Sequence, residues 1–182
     1  TYAAAPNFGW ALMHRASASL SQPPNLEPLR TGVSGGEMVD VELLQTVRRD
    51  WSAWGLADTV LRPAYGMAES VVATTVPAAE SPLRTALARH PGCCKPRVVA
   101  STGRPLDRMS VRIAGGEHIG RIQIRGVALL ESPDDGTWYT TGDLGFIRGG
   151  ELYVCGRAAD LIIVAGSNVP PEAVEHVIND HP

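Results

Sequence analysis

Lysine is almost missing from this sequence: Lys95 stands alone against fifteen arginines in 182 residues. A GC-rich coding sequence produces that bias, and it names no chemistry by itself. Charge of one sign is also scarce. The formal net charge is −3, which gives no support to a nucleic-acid or membrane-surface partner. Cysteine is sparse, with three residues, two of them the adjacent pair Cys93 and Cys94. Adjacent cysteines rarely bridge, and no metal-ligand spacing surrounds them, so a reducing, cytoplasmic setting is expected. No apolar run approaches the length of a membrane span. There is no signal peptide, Thr1 is not Met, and His181-Pro182 interrupts a helical pattern; both ends read as cuts in a longer chain. The phosphate-binding G-x-x-x-x-G-K-[ST] loop and the dinucleotide G-x-G-x-x-G fingerprint are both missing. His14, His90, His118, His176 and His181 are scattered without metal spacing.

What is present is ordinary globular material, 44 % hydrophobic, enough for one or two compact units. Residues 6–20 read as a helix with Pro6 in its first turn and Phe8, Leu12, Met13 and Ala16 on one face. A short strand spans 29–34. Asp40 looks like an N-cap before Val41, Leu44, Val47 and Trp51 at helical spacing, with Gly55 ending that helix. Strands are expected at 59–65 and 71–76, so the order suggests an α/β layer. After Val76 the composition changes. Ser81-Pro82 is expected to open a short helix to about Arg89. Short glycine-punctuated strands follow at 97–101, 109–114, 119–125 and 138–141. Those at 144–148 and 151–155 flank Gly149-Gly150, a good two-residue hairpin turn. This half reads as a small antiparallel sheet or barrel. A last strand at 161–164 and a helix starting at Pro171 close the pattern.

Several short segments carry chemistry. Tyr65-Gly66-Met67-Ala68-Glu69 follows a strand. An aromatic ring beside glycine suits a flat ligand, and a carboxylate four positions on suits Mg²⁺, which prefers oxygen. Read alone, the pentapeptide equally describes a strand end with a buried Tyr and a solvated Glu. Thr141-Gly142-Asp143-Leu144-Gly145 sets a carboxylate between glycines. Its two acceptor oxygens match a pair of vicinal hydroxyls, although an Asp-containing turn has the same signature. Arg157, in Gly156-Arg157-Ala158-Ala159-Asp160, offers a planar donor fork, or else a solvated linker charge. Gly35-Gly36-Glu37 lies at a strand end, where open α/β sheets take ligands.

The order of these segments is more specific than any one of them. Gly-Gly-Glu, then YGMAE, then TGDLG, then GRAADLIIVAGSNVPPEAVE resembles the adenylate-forming superfamily of acyl-CoA synthetases, luciferases and peptide-synthetase adenylation domains. The resemblance runs from about Ala5 to the end. AAPNFGWAL, LRPAYGMAES and DLIIVAGSNVPPEAVE look like fatty acyl-AMP ligases, which often carry Ala where Ala68 stands and acyl-CoA synthetases carry Thr. The resemblance implies part of an α/β subdomain over 1–96, a small β-barrel subdomain over 97–158, and the hinge and start of an α+β domain over 159–182. It implies ATP-dependent activation of a fatty or other carboxylic acid to an acyl-adenylate, with an acyl-carrier protein or CoA as acceptor. A non-catalytic adenylate-binding module is the competing reading. By the same resemblance Gly35, Gly36 and Glu37 line the adenine pocket through their backbone, and Tyr65 packs on the ring. Gly66, Met67 and Ala68 lie beside the nucleotide, and Gly66 and Met67 near the acyl tunnel. Glu69 is a catalytic residue that holds Mg²⁺, Asp143 binds the ribose hydroxyls, Arg157 assists, and Asp160 is the hinge. Ala159 stands where the family usually has Lys. The family's phosphate loop is expected upstream of Thr1 and its catalytic lysine downstream of Pro182.

Overall fold

The computed structural model describes residues 1–89, 96–115, 119–129, 137–158, 162–164 and 167–169. Lys95, the Cys93-Cys94 pair, Asp160 and the helix expected from Pro171 lie outside the described residues.

The first part is a parallel sheet of three strands, β1 (Tyr2–Ala5), β2 (Thr31–Ser34) and β3 (Leu61–Pro63), with β2 in the middle. Helix α1 (Asn7–Ser17) follows β1 and α2 (Val41–Ser52) links β2 to β3. Asp40 caps α2 as its position in the sequence predicts: its side chain accepts a hydrogen bond from the Leu43 backbone N–H at 2.9 Å. Val41, Leu44, Val47 and Trp51 are all buried, so the helical spacing marks the true inner face. Trp10 of α1 meets Trp51 edge-on at 6.4 Å, and both pack with Leu44, Val47, Leu56, Val60 and Leu61. Gly32 permits this, because a side chain there would strike Leu61 and the Trp10 ring. Strand β1 was not expected from the sequence. Its Tyr-Ala-Ala-Ala composition has little β-branching, and pairing with β2 creates it.

A compact loop follows β3. A tight 3-10 turn spans Ala68–Ser70, and the loop closes where Tyr65 and Thr75 pair across an isolated bridge. The expected strand over 71–76 shrinks to β4 (Thr75–Val76). Val71 and Val72 instead adopt φ of 51° and 79°, a left-handed conformation that β-branched residues rarely take. Tertiary closure overrides their strand propensity.

The expected helix after Ser81-Pro82 is also corrected. Residues Thr85–Ala88 form strand β5, antiparallel to β6 (Arg97–Ala100). Ala86 and Ala88 alternate inward and pack with Val99, Phe146, Tyr153 and Cys155. Helix-forming residues are recruited into a ribbon because that ribbon covers one face of the main sheet.

That sheet is an antiparallel meander. Strands β8 (Met109–Ala114), β9 (Gly120–Gly126), β10 (Tyr139–Arg148) and β11 (Glu151–Arg157) follow one another in space as in sequence, and β7 (Arg104–Pro105) pairs with β4. The two strands expected at 138–141 and 144–148 are one strand, β10, bent by an irregularity. The Gly149-Gly150 turn forms as anticipated, both residues having positive φ and Arg148 pairing with Glu151. Phe146 and Tyr153, partners across that hairpin, stack at 4.9 Å. The opposite face buries Ile122, Ile124 and Leu152 against Tyr65. The main sheet is therefore covered on both sides, once by the β5–β6 ribbon and once by the loop from the parallel sheet. Strands β12 (Ile162–Val164) and β13 (Ser167–Val169) form a separate hairpin.

Among the described residues no helix is long and apolar enough to cross a membrane.

Candidate functional site

Three elements meet at one carboxylate. Asp143 lies in β10 just after a break in register, and Arg157 ends β11 directly opposite it in the ladder. Tyr65 arrives from the loop after β3. Its hydroxyl donates to Asp143 Oδ2 at 2.6 Å across 78 residues of sequence. The Arg157 Nε–H donates to the other oxygen, Oδ1, at 3.2 Å. Asp143 is only 7 % exposed. The Arg157 side chain is 63 % exposed, so the pair joins a buried anion to a largely solvated cation.

The Tyr65 ring is 8 % exposed and sits among Ile122, Ile124, Leu129 and Leu152, with Met67 against the same cluster. Burial pushes the phenol well above its ordinary range. The hydrogen bond to Asp143 adds to this, and contacts with Thr141 and Arg157 pull weakly the other way. Tyr65 therefore donates its proton throughout the physiological range, which is what an ionised carboxylate requires of a neighbour.

Gly66 is fixed by crowding. A side chain there would lie 1.9 Å from the Val72 carbonyl oxygen and 2.6 Å from the Ala73 Cα. The loop can fold back over this position only because no Cβ is present. Ala68 and Glu69 lie in the 3-10 turn, both exposed. Among the described residues no hydrogen bond or ion pair ties Glu69 to the Tyr65–Asp143–Arg157 group. No cluster of three or more His, Cys, Asp or Glu is seen there either. Glu69 is thus a single exposed carboxylate, and Mg²⁺ is commonly held by one or two carboxylates together with phosphate oxygens of a substrate.

Gly35, Gly36 and Glu37 follow β2 at its C-terminal end, beside the start of α1. Gly35 packs against the Ala64 carbonyl, 2.9 Å from where its Cβ would be, and Gly36 has φ 87° with open space beyond it. Glu37 Oε1 accepts from the Phe8 backbone N–H at 3.4 Å. Asn7 ties this loop to the helix, donating to the Met38 carbonyl at 2.7 Å and accepting from the Asp40 N–H at 3.0 Å. The preceding residue, Ser34, is fully buried and its hydroxyl has no hydrogen-bond partner. Sequence reading passed over Ser34, although Gly32-Val33-Ser34-Gly35-Gly36 fits Gly-x-Ser-x-Gly; its full burial is unlike the exposed serine of a nucleophile elbow. It also passed over Thr141, which the structure places between the Asp143 N–H and the Ile122 carbonyl.

An ionised carboxylate has roughly four lone-pair positions. Tyr65 and Arg157 occupy two, leaving Asp143 able to accept from two more donors such as adjacent hydroxyls. An apolar groove of about 260 Å³ lies elsewhere, against α1 and α2, lined by Met13, Leu20, Trp51 and Trp54 among others. Being almost wholly apolar, it does not suit a phosphate-bearing ligand.

The comparisons agree with the arrangement of motifs. A solved structure from work on fatty acyl-adenylate ligases of E. coli and L. pneumophila superimposes with a TM-score of 0.82 at 25 % identity, over 98 % of this chain and 38 % of its own. In sequence and in fold the chain is similar to the adenylate-forming superfamily. Within that superfamily it is 31 % identical to a 4-hydroxyphenylalkanoate adenylyltransferase of Mycobacterium tuberculosis, over 97 % of this chain and 35 % of the relative. It is 28 % identical to the long-chain-fatty-acid–AMP ligase FadD26 of the same species, over 98 % of this chain and 38 % of the relative. No family model matches the chain. The chain thus spans 35 % to 38 % of the length of these adenylate-forming relatives, and its mixture of a parallel α/β layer with an antiparallel sheet is a portion of their fold.

Proposed function

We propose that this chain supplies the ribose- and magnesium-facing part of a longer ATP-dependent ligase that activates a fatty or other carboxylic acid as its acyl-adenylate, releasing pyrophosphate. The observation that carries the reading is the buried Asp143 carboxylate within β10, shared by Tyr65 and Arg157 from different elements. Asp143 accepts from the two ribose hydroxyls with its remaining lone pairs, and Arg157 orients the carboxylate. Tyr65 sets the height of the carboxylate through its hydroxyl, while its buried ring leaves only a narrow edge for the base, whose other side meets the Gly35-Gly36-Glu37 backbone. Gly66, Met67 and Ala68 form the wall between base and acyl group. Glu69, exposed on its 3-10 turn, is the residue that would hold Mg²⁺. That ion, when bound, offsets the repulsion between two anions that must meet. Asp160 is the pivot between half-reactions in this reading, and it lies outside the described residues.

The test uses the full-length protein that carries this chain, supplied with fatty acid, ATP and Mg²⁺. Acid-dependent ATP–pyrophosphate exchange is expected, lost in Asp143→Ala and Glu69→Ala. No exchange with any carboxylic acid, despite retained AMP binding, would leave a non-catalytic adenylate module instead. Adding CoA or an acyl-carrier protein then identifies the acceptor. Acyl-AMP that persists with CoA and is consumed with the carrier marks an acyl-AMP ligase, and acyl-CoA marks a synthetase.

A further inference from the structure

We propose that Thr141 is a positioning residue of this site, its hydroxyl standing in for ladder bonds that a bulge removes and so fixing the direction of the Asp143 carboxylate. The inference rests on the proposed role of Asp143 as the ribose acceptor. Between the pairs Thr140↔Gln123 and Leu144↔Arg121, β10 advances four residues while β9 advances two. The surplus is taken up at Gly142, whose φ of 84° suits glycine. A bulge of this kind breaks the ladder and leaves a backbone donor and acceptor facing no partner. Beside the break lie the Asp143 N–H and the Ile122 C=O. The Thr141 hydroxyl serves both. It accepts from the Asp143 N–H at 3.1 Å and donates to the Ile122 carbonyl at 3.1 Å.

A hydroxyl has one proton to give and lone pairs to receive, so a single Oγ closes both gaps. Its β-methyl restricts χ1, so the bridge is stiff. On the other edge of β10, the Gly142 carbonyl accepts from the Ala158 N–H at 2.9 Å, next to Arg157. The bulge is therefore clamped on both sides, and Asp143 can aim at Tyr65 and Arg157 from only one backbone position. Thr141 touches neither base nor acid in this account. It acts through Asp143 and through the contact its hydroxyl makes with Tyr65.

The experiment compares Thr141→Val, which keeps the shape and loses both bonds, with Thr141→Ser, which keeps them. Amide hydrogen exchange on the chain without nucleotide is read first. The Asp143 N–H should exchange at least about tenfold faster in T141V than in the parent, with T141S close to the parent, since roughly one net hydrogen bond of protection is lost. AMP affinity, measured by calorimetry on the full-length protein, should fall about tenfold in T141V and be restored in T141S. Asp143→Asn is the control for the underlying reading. If D143N abolishes AMP binding while T141V leaves it unchanged, Thr141 does not position the site and the ribose reading stands. If D143N binds AMP normally, the ribose reading itself fails and takes this inference with it. Unchanged Asp143 exchange in folded T141V overturns the bridge directly. If T141V does not fold, Thr141→Cys, with its weak donor, is read by the same criteria.

Discussion

Tyr65→Phe removes one oxygen atom and keeps the ring that fills the space between Ile122, Ile124 and Leu152. The change isolates the 2.6 Å hydrogen bond to Asp143 from the packing beneath it. A hydrogen bond to an ionised partner contributes about 1.5–3 kcal/mol net. The upper part of that range applies, because Asp143 is buried and water cannot readily replace the lost donor. Arg157→Ala removes the other donor to the same carboxylate, but its guanidinium is 63 % exposed and its bond is 3.2 Å. Solvent screening limits that pair to about 1 kcal/mol or less. The expected order of destabilisation is therefore Y65F above R157A, the reverse of what formal charge suggests. Urea unfolding of the full-length protein at pH 7 reads it, provided the slope of free energy against denaturant is unchanged. A double-mutant cycle of Tyr65→Phe with Asp143→Asn should then show a coupling above about 1 kcal/mol. A Y65F cost below about 0.5 kcal/mol, or no coupling to Asp143, would refute the reasoning.

Gly66→Ala should be severely destabilising, above about 3 kcal/mol, because its Cβ would fall 1.9 Å from the Val72 carbonyl oxygen and backbone must move; a thermal melt close to the parent's contradicts the closed loop. Asp40→Ala should cost about 1 kcal/mol through loss of the α2 cap, read by denaturant titration, with Asp40→Ser recovering most of it. Burial pushes the Cys155 thiol from 9.0 up to about 12. A raised pKa means that its contribution is complete below the unfolded value and is lost as pH climbs from about 9 toward 12. Cys155→Ala should flatten the fall of stability over that window, and an unaltered alkaline slope would contradict it.

How far the sequence could be read depended on whether local and tertiary forces agreed. Helix α2 was legible because its cap, its inward spacing and its burial against Trp10 all point one way. The β10–β11 hairpin was legible because two glycines can adopt the turn that joins it. Strand β5 was not, since Thr85–Ala88 contains good helix formers, and only the β6 partner and the face shared with Phe146 make it extended. Val71 and Val72 misled for the same reason in reverse. Two β-branched residues argue for a strand, yet closing the loop at Tyr65 and Thr75 forces them into positive φ. In the site, the order of motifs pointed to Tyr65, Glu69, Asp143 and Arg157 as a set, of which hydrogen bonds join Tyr65, Asp143 and Arg157 and leave Glu69 untied to them. It did not reveal that Tyr65 reaches Asp143 through its hydroxyl while its ring is buried, because that contact joins two different elements. Thr141 looked like part of a turn, and its bridging role becomes visible only once β9 and β10 are seen out of step.

The glycine pair at 149 and 150 works as a ruler. It joins the strand carrying Asp143 to the strand carrying Arg157, so the meeting of anion and cation is set by the residue count outward from the turn together with the one-residue bulge passed between Gly145 and Leu144. One residue inserted there would shift the second strand by a single step and carry the guanidinium to the opposite face, into the cover of the β5–β6 ribbon. A change at the tip, remote from any bound nucleotide, would thus disarm the pair without touching either member.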